Sequence, residues 1–247
     1  MQRSFSVGET LSDTFGLYLR RFPEFLAIGA VFAAPQLLLG DVIRSDAAGV
    51  LVGMLQDVLV TASTCAAAVV VATAGVEGRP MGVFAALKTL GPRWRAIAGA
   101  TLAVSLLKLP GDFADFAEGS TKLLALFGNV WAIFIACLFL PAPAVAAAEP
   151  VGGLEALARA RFLTAGERWK LLGLQFLLGL LGRGAALTLS MTAGAVAGDT
   201  FGTSALVAFL GAALTAPLGA VAAATSYVAL RTAREGAPTR SLSDVFG

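Results

Sequence analysis

The 247-residue chain contains no histidine, and its only cysteines are Cys65 and Cys137. Histidine is the side chain that most often acts as a general base or metal ligand near neutral pH. Two cysteines inside apolar runs suggest neither a disulfide framework nor a zinc site. The sequence also lacks a glycine-rich phosphate loop and a nucleophile-elbow serine. We therefore predict a non-enzymatic protein with no catalytic residues, no cofactor and no metal.

Charged residues are scarce, at 14% of the chain, against about 25% in typical soluble proteins. The formal net charge of only +2 argues against nucleic acid as a partner. Hydrophobic residues make up 57%, in long Ala-, Leu- and Gly-rich runs without the period-two alternation of strands. Only helices and closed barrels satisfy the backbone inside a bilayer, and these runs are too long for barrel strands. The sequence therefore predicts an all-α, polytopic membrane protein.

Six apolar runs are long enough to cross a bilayer as helices, which takes about 20 residues each. They lie at 24–43, 48–76, 94–111, 122–148, 170–197 and 202–231. Lys108 interrupts the third run, and Arg183 interrupts the fifth. Three shorter segments, 8–21, 81–91 and 152–166, combine charge with an apolar stripe, which predicts amphipathic helices lying in the membrane interface. The alternative for these three segments is a plain cytoplasmic loop.

Lys and Arg are distributed unevenly between the two sides of the predicted membrane. Fourteen of the 18 lie on one side; the other side holds only Arg44, Lys108, Lys122 and Arg183. Because cytoplasmic loops are enriched in Lys and Arg, the rich side, which carries both termini, is predicted to be cytoplasmic. Residues 1–236 are interpreted as a single membrane domain, and the polar segment 237–247 as a flexible tail.

A threefold internal repeat organises the predicted domain. Residues of the same kind recur at an offset of 72 without a gap: Arg21 and Arg93, Phe22 and Trp94, Cys65 and Cys137, Glu77 and Glu149. The units cover about 7–78, 79–150 and 151–236, and each is predicted to be an interfacial helix followed by a transmembrane hairpin. An arginine and an aromatic residue at each junction are expected to anchor the hairpin. These anchors are Arg21, Phe22, Arg93, Trp94, Arg168 and Trp169.

The repeat also predicts polar residues at matching depths. Counting 14 residues on from each junction aromatic reaches Gln36, Lys108 and Arg183. Counting 20 residues back from the glutamates that end the units reaches Asp57, Asn129 and Thr215. At 1.5 Å per residue, the two sets lie about 21 Å and about 30 Å from those reference residues, in the outer half of the membrane.

Two interpretations of these six positions stay open. A charge at the bilayer centre costs about 2.5–3.5 kcal/mol on insertion scales, so such residues usually pair or face a wet cavity. One hypothesis is a polar ring around an outward-facing vestibule that holds a lipid headgroup or small solute. The alternative is that Lys108 and Arg183 extend to the outer surface while Asp57 forms a structural ion pair.

Several segments resemble a known bacterial membrane domain. They are Ala148-Glu149-Pro150, the run GLEALARARFLTAGERWKLLG at 153–173, FSVGETL at 5–11 and YVALR at 227–231. This pattern resembles the six-helix membrane domain that precedes the catalytic domain of some bacterial glycerophosphodiester phosphodiesterases, and its stand-alone relatives. The resemblance implies a membrane fold over nearly the whole chain. It carries over no catalytic residue, because the histidines of that active site have no counterpart here.

The function predicted from these features is binding or movement of a lipid or small amphiphile through the polar ring. The predicted location is the bacterial inner membrane, and the predicted partners are membrane lipids. The alternative is a scaffold or regulatory subunit that binds other membrane proteins. The lack of transport motifs, the three interfacial helices and the free tail motivate this alternative.

Overall fold

The computed structural model describes residues 5–45, 47–76, 81–112, 122–197 and 201–236. Within these residues the protein is all-α, which confirms the predicted class, with one 3-10 turn at Gly91–Arg93 and no strand. The helices of the described part are α1 (Val7–Arg20), α2 (Phe22–Ser45), α3 (Ala47–Val76), α4 (Val83–Thr89), α5 (Trp94–Asp112), α6 (Lys122–Phe139), α7 (Ala142–Ala148), α8 (Gly153–Thr164), α9 (Arg168–Ala197) and α10 (Phe201–Glu235).

Within the described residues, four stretches of helix are long and apolar enough to cross a membrane: Met54–Ala72, Leu126–Ala148, Arg168–Ala195 and Ala205–Glu235. They coincide with the second, fourth, fifth and sixth predicted spans. The part of α2 whose side chains are described, Phe22–Ala34, is a shorter apolar helix. Helix α5 covers the third predicted span but is not among the four, because Arg95 and Lys108 reduce its apolar character. The described part of the chain therefore contains four candidate membrane-spanning helices, consistent with a membrane protein.

The predicted fourth span, 122–148, contains a break. Helix α6 ends at Phe139, and α7 begins at Ala142 after a turn. Pro141 caps α7, and Pro143 lies in its first turn, where a missing N–H is tolerated better than inside a helix. Near the break, the Leu138 carbonyl accepts a hydrogen bond of 3.2 Å from Thr164 Oγ1 on α8. The predicted span therefore consists of two consecutive helices, α6 and α7.

Short helices occupy the three segments predicted to be amphipathic, namely α1, α4 and α8. Ser6 caps the N-terminus of α1, and its hydroxyl accepts a hydrogen bond from the Glu9 N–H. Its buried face packs on α10 through polar contacts. Thr14 Oγ1 lies 2.7 Å from Thr225 Oγ1, and the Tyr18 hydroxyl donates to the Leu214 carbonyl at 2.9 Å. Burial raises the pKa of Tyr18, so it keeps its proton and remains a donor at neutral pH.

Small residues fill the centre of the helix bundle. The segments 62–69 of α3, 142–147 of α7 and 220–227 of α10 are fully buried and rich in alanine. Helix α10 contacts α1, α2, α3 and α9, and α3 also contacts α5 and α7. Without long side chains between them, helices can approach closely, which is the usual packing of helices in membranes. Helices α3, α7 and α10 therefore form the core around which the others are placed.

Candidate functional site

A cavity of about 250 Å³ lies between α3, α5, α6, α7, α9 and α10. Its polar lining residues are Asp57, Thr61, Thr101, Ser105, Lys108, Gln175 and Thr215. Val104, Phe139 and Leu140 supply large apolar side chains, and α10 adds small residues including Gly219 and Ala220. A mostly apolar wall with a few convergent polar groups is the usual form of a small-molecule site.

An ion pair joins two helices across this cavity. Lys108 Nζ on α5 lies 3.5 Å from Asp57 Oδ2 on α3. The side chains keep 29% and 46% of their accessible surface, respectively, so both charges are open to the cavity. Thr61, one turn along α3, donates a hydrogen bond of 3.3 Å to the other carboxylate oxygen, Asp57 Oδ1. The pairing of Asp57 with Lys108 rather than Arg183 fits the shared cavity, because Arg183 lies outside it.

The cavity hydroxyls are partly committed to their own helices. Thr101 Oγ1 donates to the Ile97 carbonyl at 2.8 Å, and Thr215 Oγ1 donates to the Gly211 carbonyl at the same distance. A hydroxyl that has donated its proton still has lone pairs to accept with. Gln175 adds an amide with both donors and an acceptor. The lining can therefore accept and donate hydrogen bonds at several points beside the ion pair.

The cavity contains three of the six residues predicted to form a polar ring, namely Asp57, Lys108 and Thr215. Asn129 on α6 and Arg183 on α9 are exposed and do not line it. Gln36 belongs to α2, but its side chain is not among those described. Glu77, one of the residues from which depth was counted, lies outside the described residues. Counting along a helix gives the height of a residue but leaves its direction around the helix axis open. This explains why residues at similar heights face different surroundings.

Sequence reasoning missed Thr61, Thr101, Ser105 and Gln175. The signal for three of them was present, because residues three, four and seven apart share one face of a helix. Thr61 is four residues after Asp57, and Ser105 and Thr101 are three and seven residues before Lys108. Extending each charged position along its own face therefore finds these three. Gln175 is seven residues after Arg168 on α9, but Arg168 was predicted to be a junction anchor and not a residue of the polar ring, so it did not direct attention to Gln175.

At the first predicted junction, the anchors make contacts within the protein. Arg21 Nη1 pairs with Glu24 Oε1 at 3.0 Å. The other oxygen of Glu24 accepts a hydrogen bond of 2.6 Å from the backbone N–H of Val83, at the start of α4. Phe22 packs against the buried core and meets Tyr18 edge-on, with ring centroids 5.6 Å apart. This junction therefore connects α1, α2 and α4.

The second and third junctions differ from each other. Arg93 Nη1 donates to the Ala147 carbonyl at 2.9 Å, near the C-terminus of α7, where a cation is favourable. Trp94 packs against the core. At the third junction Arg168 is exposed, and Trp169 keeps 83% of its accessible surface. Only the third aromatic therefore points outward, as an interfacial anchor would.

A second polar group, which we call the arginine cluster, consists of Glu149, Arg159, Tyr227, Arg231 and Glu235. Arg159 on α8 donates to Glu149 at 3.0 Å and also to Glu235 at the end of α10. The Tyr227 hydroxyl donates to Glu149 at 3.1 Å and accepts from Arg231 at 3.2 Å. Arg231 in turn donates to Glu235 at 3.1 Å. The cluster therefore connects α8, α10 and the end of α7.

Phe162 extends this cluster on α8. The guanidinium groups of Arg159 and Arg234 lie 5.6 Å and 5.4 Å from its ring centroid, within cation–π distance. Hydrogen bonds to Glu149 and Glu235 raise the pKa of Arg159. Because its charges are paired with each other, the arginine cluster is suited to holding helices together, whereas the Asp57–Lys108 pair lines a cavity.

A scan against protein-family models and searches of curated proteins and of solved structures found no significant match for this chain. The resemblance to a phosphodiesterase-associated membrane domain therefore stays a prediction. What the site offers chemically is one carboxylate, one ammonium, several hydroxyls and an amide around a small volume with apolar walls.

Proposed function

We propose that this protein is a non-enzymatic membrane protein that binds or translocates a lipid or small amphiphile through the cavity. The observation that carries this proposal is the Asp57–Lys108 pair, which is partly accessible in a cavity between apolar helices. Ionisable residues between membrane helices are costly, and they commonly mark ligand or ion pathways. An ion pair needed only for stability would have no need of an adjoining cavity.

The shape of the cavity suits an amphiphile. Lys108 and Thr101 lie seven residues apart on α5, so the lining extends about 10 Å along the helix. The two charges, Asp57 and Lys108, lie at the Lys108 end of the cavity. Phe139 and Leu140 add apolar surface to its wall. A volume of about 250 Å³ equals that of roughly eight water molecules in the liquid. It can hold a headgroup, with the acyl chains of a larger lipid outside.

The finer architecture belongs to the same proposal. Six spans form three hairpins, α2–α3, α5–α6 and α9–α10, and each follows one of the short helices α1, α4 and α8. The order of the helices supports this arrangement. The uneven distribution of Lys and Arg supports cytoplasmic termini, and the resemblance described above supports the bacterial inner membrane.

A second candidate function is a scaffold or regulatory subunit of a larger membrane complex. The observation that favours it is the exposure of α9. Only 11% of Arg168–Ala195 is buried inside the protein. Its outer face carries Phe176, Leu180, Leu187 and Met191. Lipid can cover this face, and so can a helix of a partner protein.

The test is native mass spectrometry of the protein extracted gently from its own membrane. The cavity proposal expects a retained lipid or small amphiphile that is lost in Asp57→Asn and in Lys108→Gln. Arg183→Gln is the matched control, because Arg183 is an intramembrane charge outside the cavity, and this variant should retain the ligand. A stoichiometric protein partner without any small ligand would contradict the cavity proposal and favour the scaffold.

A further inference from the structure

The geometry of the charged pair points to a zwitterionic ligand, with a primary ammonium and an anionic group a few ångströms apart. This inference rests on the proposed function, because it names the class of molecule that the same cavity binds. We infer that the Asp57 carboxylate receives the ammonium group and that the Lys108 ammonium receives the anionic group. Such a ligand is either the headgroup of an aminophospholipid or a free small zwitterion.

The ion pair has unused capacity for a ligand. Its separation of 3.5 Å exceeds the roughly 2.7–2.9 Å of a charge-assisted hydrogen bond. Among the described residues, the hydrogen bond to the Asp57 carboxylate comes from Thr61 and uses Oδ1. Oδ2 can therefore accept from a ligand while it faces Lys108. A lysine ammonium has three N–H donors, so Lys108 can bind an anion without leaving Asp57.

A zwitterion suits this site better than a ligand with a single charge. An anion bound to Lys108 would also lie near the Asp57 carboxylate, and two like charges in close contact repel strongly in a medium less polar than water. A cation bound to Asp57 would meet the same repulsion from Lys108. A ligand with both charges places each beside its opposite and keeps the site neutral. The alternating arrangement of four charges is therefore attractive at every contact.

Hydroxyl groups flank each charge. Thr61 is one turn from Asp57 on α3, and Ser105 is one turn from Lys108 on α5, and both line the cavity. Each half of a zwitterion therefore has a charged group and a neutral hydroxyl within reach. The apolar surface of Phe139 and Leu140 is available to the uncharged remainder of the ligand.

The test is a competition between probes that differ in one charge at a time. Purified full-length protein in detergent micelles receives equal amounts of phosphatidylethanolamine, phosphatidylglycerol and diacylglycerol, and a parallel sample receives β-alanine. Native mass spectrometry then counts the bound molecules. We expect phosphatidylethanolamine to exceed phosphatidylglycerol by about tenfold, which is the size expected for one added charge-assisted hydrogen bond.

The variants separate the two charges. In Asp57→Asn the advantage of phosphatidylethanolamine over phosphatidylglycerol should disappear, and in Lys108→Gln both phospholipids should fall toward diacylglycerol. The double exchange of Asp57→Lys with Lys108→Asp restores both charges and should restore the preference for phosphatidylethanolamine. This rescue distinguishes ligand recognition from a general loss of folding.

The outcomes are distinct for the two proposals. Phosphatidylglycerol or diacylglycerol bound by the wild type as strongly as phosphatidylethanolamine would overturn the zwitterion inference and leave the amphiphile proposal intact. Retention of β-alanine in place of phosphatidylethanolamine would support the zwitterion chemistry and identify a soluble source. No retained probe of any kind would overturn both.

Discussion

Gly29 on α2 lies against the backbone of α10 beside Pro217. Pro217 has no N–H, so the carbonyl of Ala213, four residues earlier, lacks its usual partner within the helix. A Cβ atom at position 29 would overlap the Ala213 carbonyl oxygen and would lie only 2.8 Å from Pro217 Cγ. Glycine at this position is therefore what allows α2 and α10 to touch.

Gly29→Ala is expected to destabilise the protein by about 1–3 kcal/mol, as overpacking of a tight contact does. The measurement is thermal unfolding in detergent. Gly16→Ala is the control, because a Cβ at that helical glycine meets no atom within 4 Å, and its effect should be neutral or stabilising by up to about 1 kcal/mol. Equal melting temperatures for the two variants would show that the close contact has no energetic role.

The Asp57–Lys108 pair makes a second prediction at the residue scale. Asp57→Asn leaves Lys108 without its counter-charge. Losing one partner of a fully buried pair costs about 3–5 kcal/mol, and this pair is only partly buried, so we expect a smaller loss. The double variant Asp57→Asn with Lys108→Gln should recover part of that stability.

A double-mutant cycle on thermal unfolding measures this coupling. Arg183→Gln serves as the reference for an exposed charge and should change stability by less than about 0.5 kcal/mol. Strictly additive effects of the two cavity substitutions would mean that the pair contributes no interaction energy.

At the scale of elements, the arginine cluster holds α8 in place. Arg159 reaches two carboxylates at once, and this requires the forked guanidinium group. Arg159→Lys keeps the charge but should lose one of the two contacts. We expect faster amide hydrogen exchange in α8 and a lower melting temperature. Arg161→Lys is the matched control on the same helix, because Arg161 is exposed. Unchanged exchange in Arg159→Lys would rule out this role.

The success of sequence prediction also differs between elements. Helices α1, α4 and α8 lie within a few residues of the predicted amphipathic segments, because an apolar stripe at helical spacing, mixed with charge, marked each of them. The break between α6 and α7 was missed, since the apolar run from Leu126 to Ala148 continues across it. The prolines at 141 and 143 were the available signal. Hydropathy measures how favourably the side chains of a segment transfer from water to lipid. It does not show where the backbone hydrogen bonds of the helix are interrupted.

The same reasoning explains the partial prediction of the site. Counting from Trp94 and Glu235 selected Lys108 and Thr215, and both line the cavity. Whether they face each other depends on how each helix is rotated in the bundle. Packing of α3, α5 and α10 sets that rotation, through contacts distant in sequence. The cavity as a volume between six helices therefore had no local sequence signal.

At the scale of the whole molecule, the proposed arrangement of six spans predicts which sites face outward. In a background with Cys65→Ala and Cys137→Ala, Asp112→Cys at the end of α5 should react with a membrane-impermeant maleimide added to intact spheroplasts. Arg161→Cys on α8 should react only after the membrane is opened, because α8 is expected to be cytoplasmic. Protection of Asp112→Cys in intact cells would mean that α5 does not cross, and would favour fewer spans.

The alanine-rich core has a consequence for how this sequence can diverge. Positions such as Ala66, Ala144 and Ala222 have no exposed surface, so any larger side chain there must push two helices apart. Helix α9 is the opposite case, because most of its side chains face outward, and many apolar replacements would satisfy them equally well. Homologues should therefore preserve small side chains along α3, α7 and α10 while α9 drifts freely among bulky apolar residues. A saturation library selected for folded protein would show the same contrast, with few accepted variants in the core and many along α9.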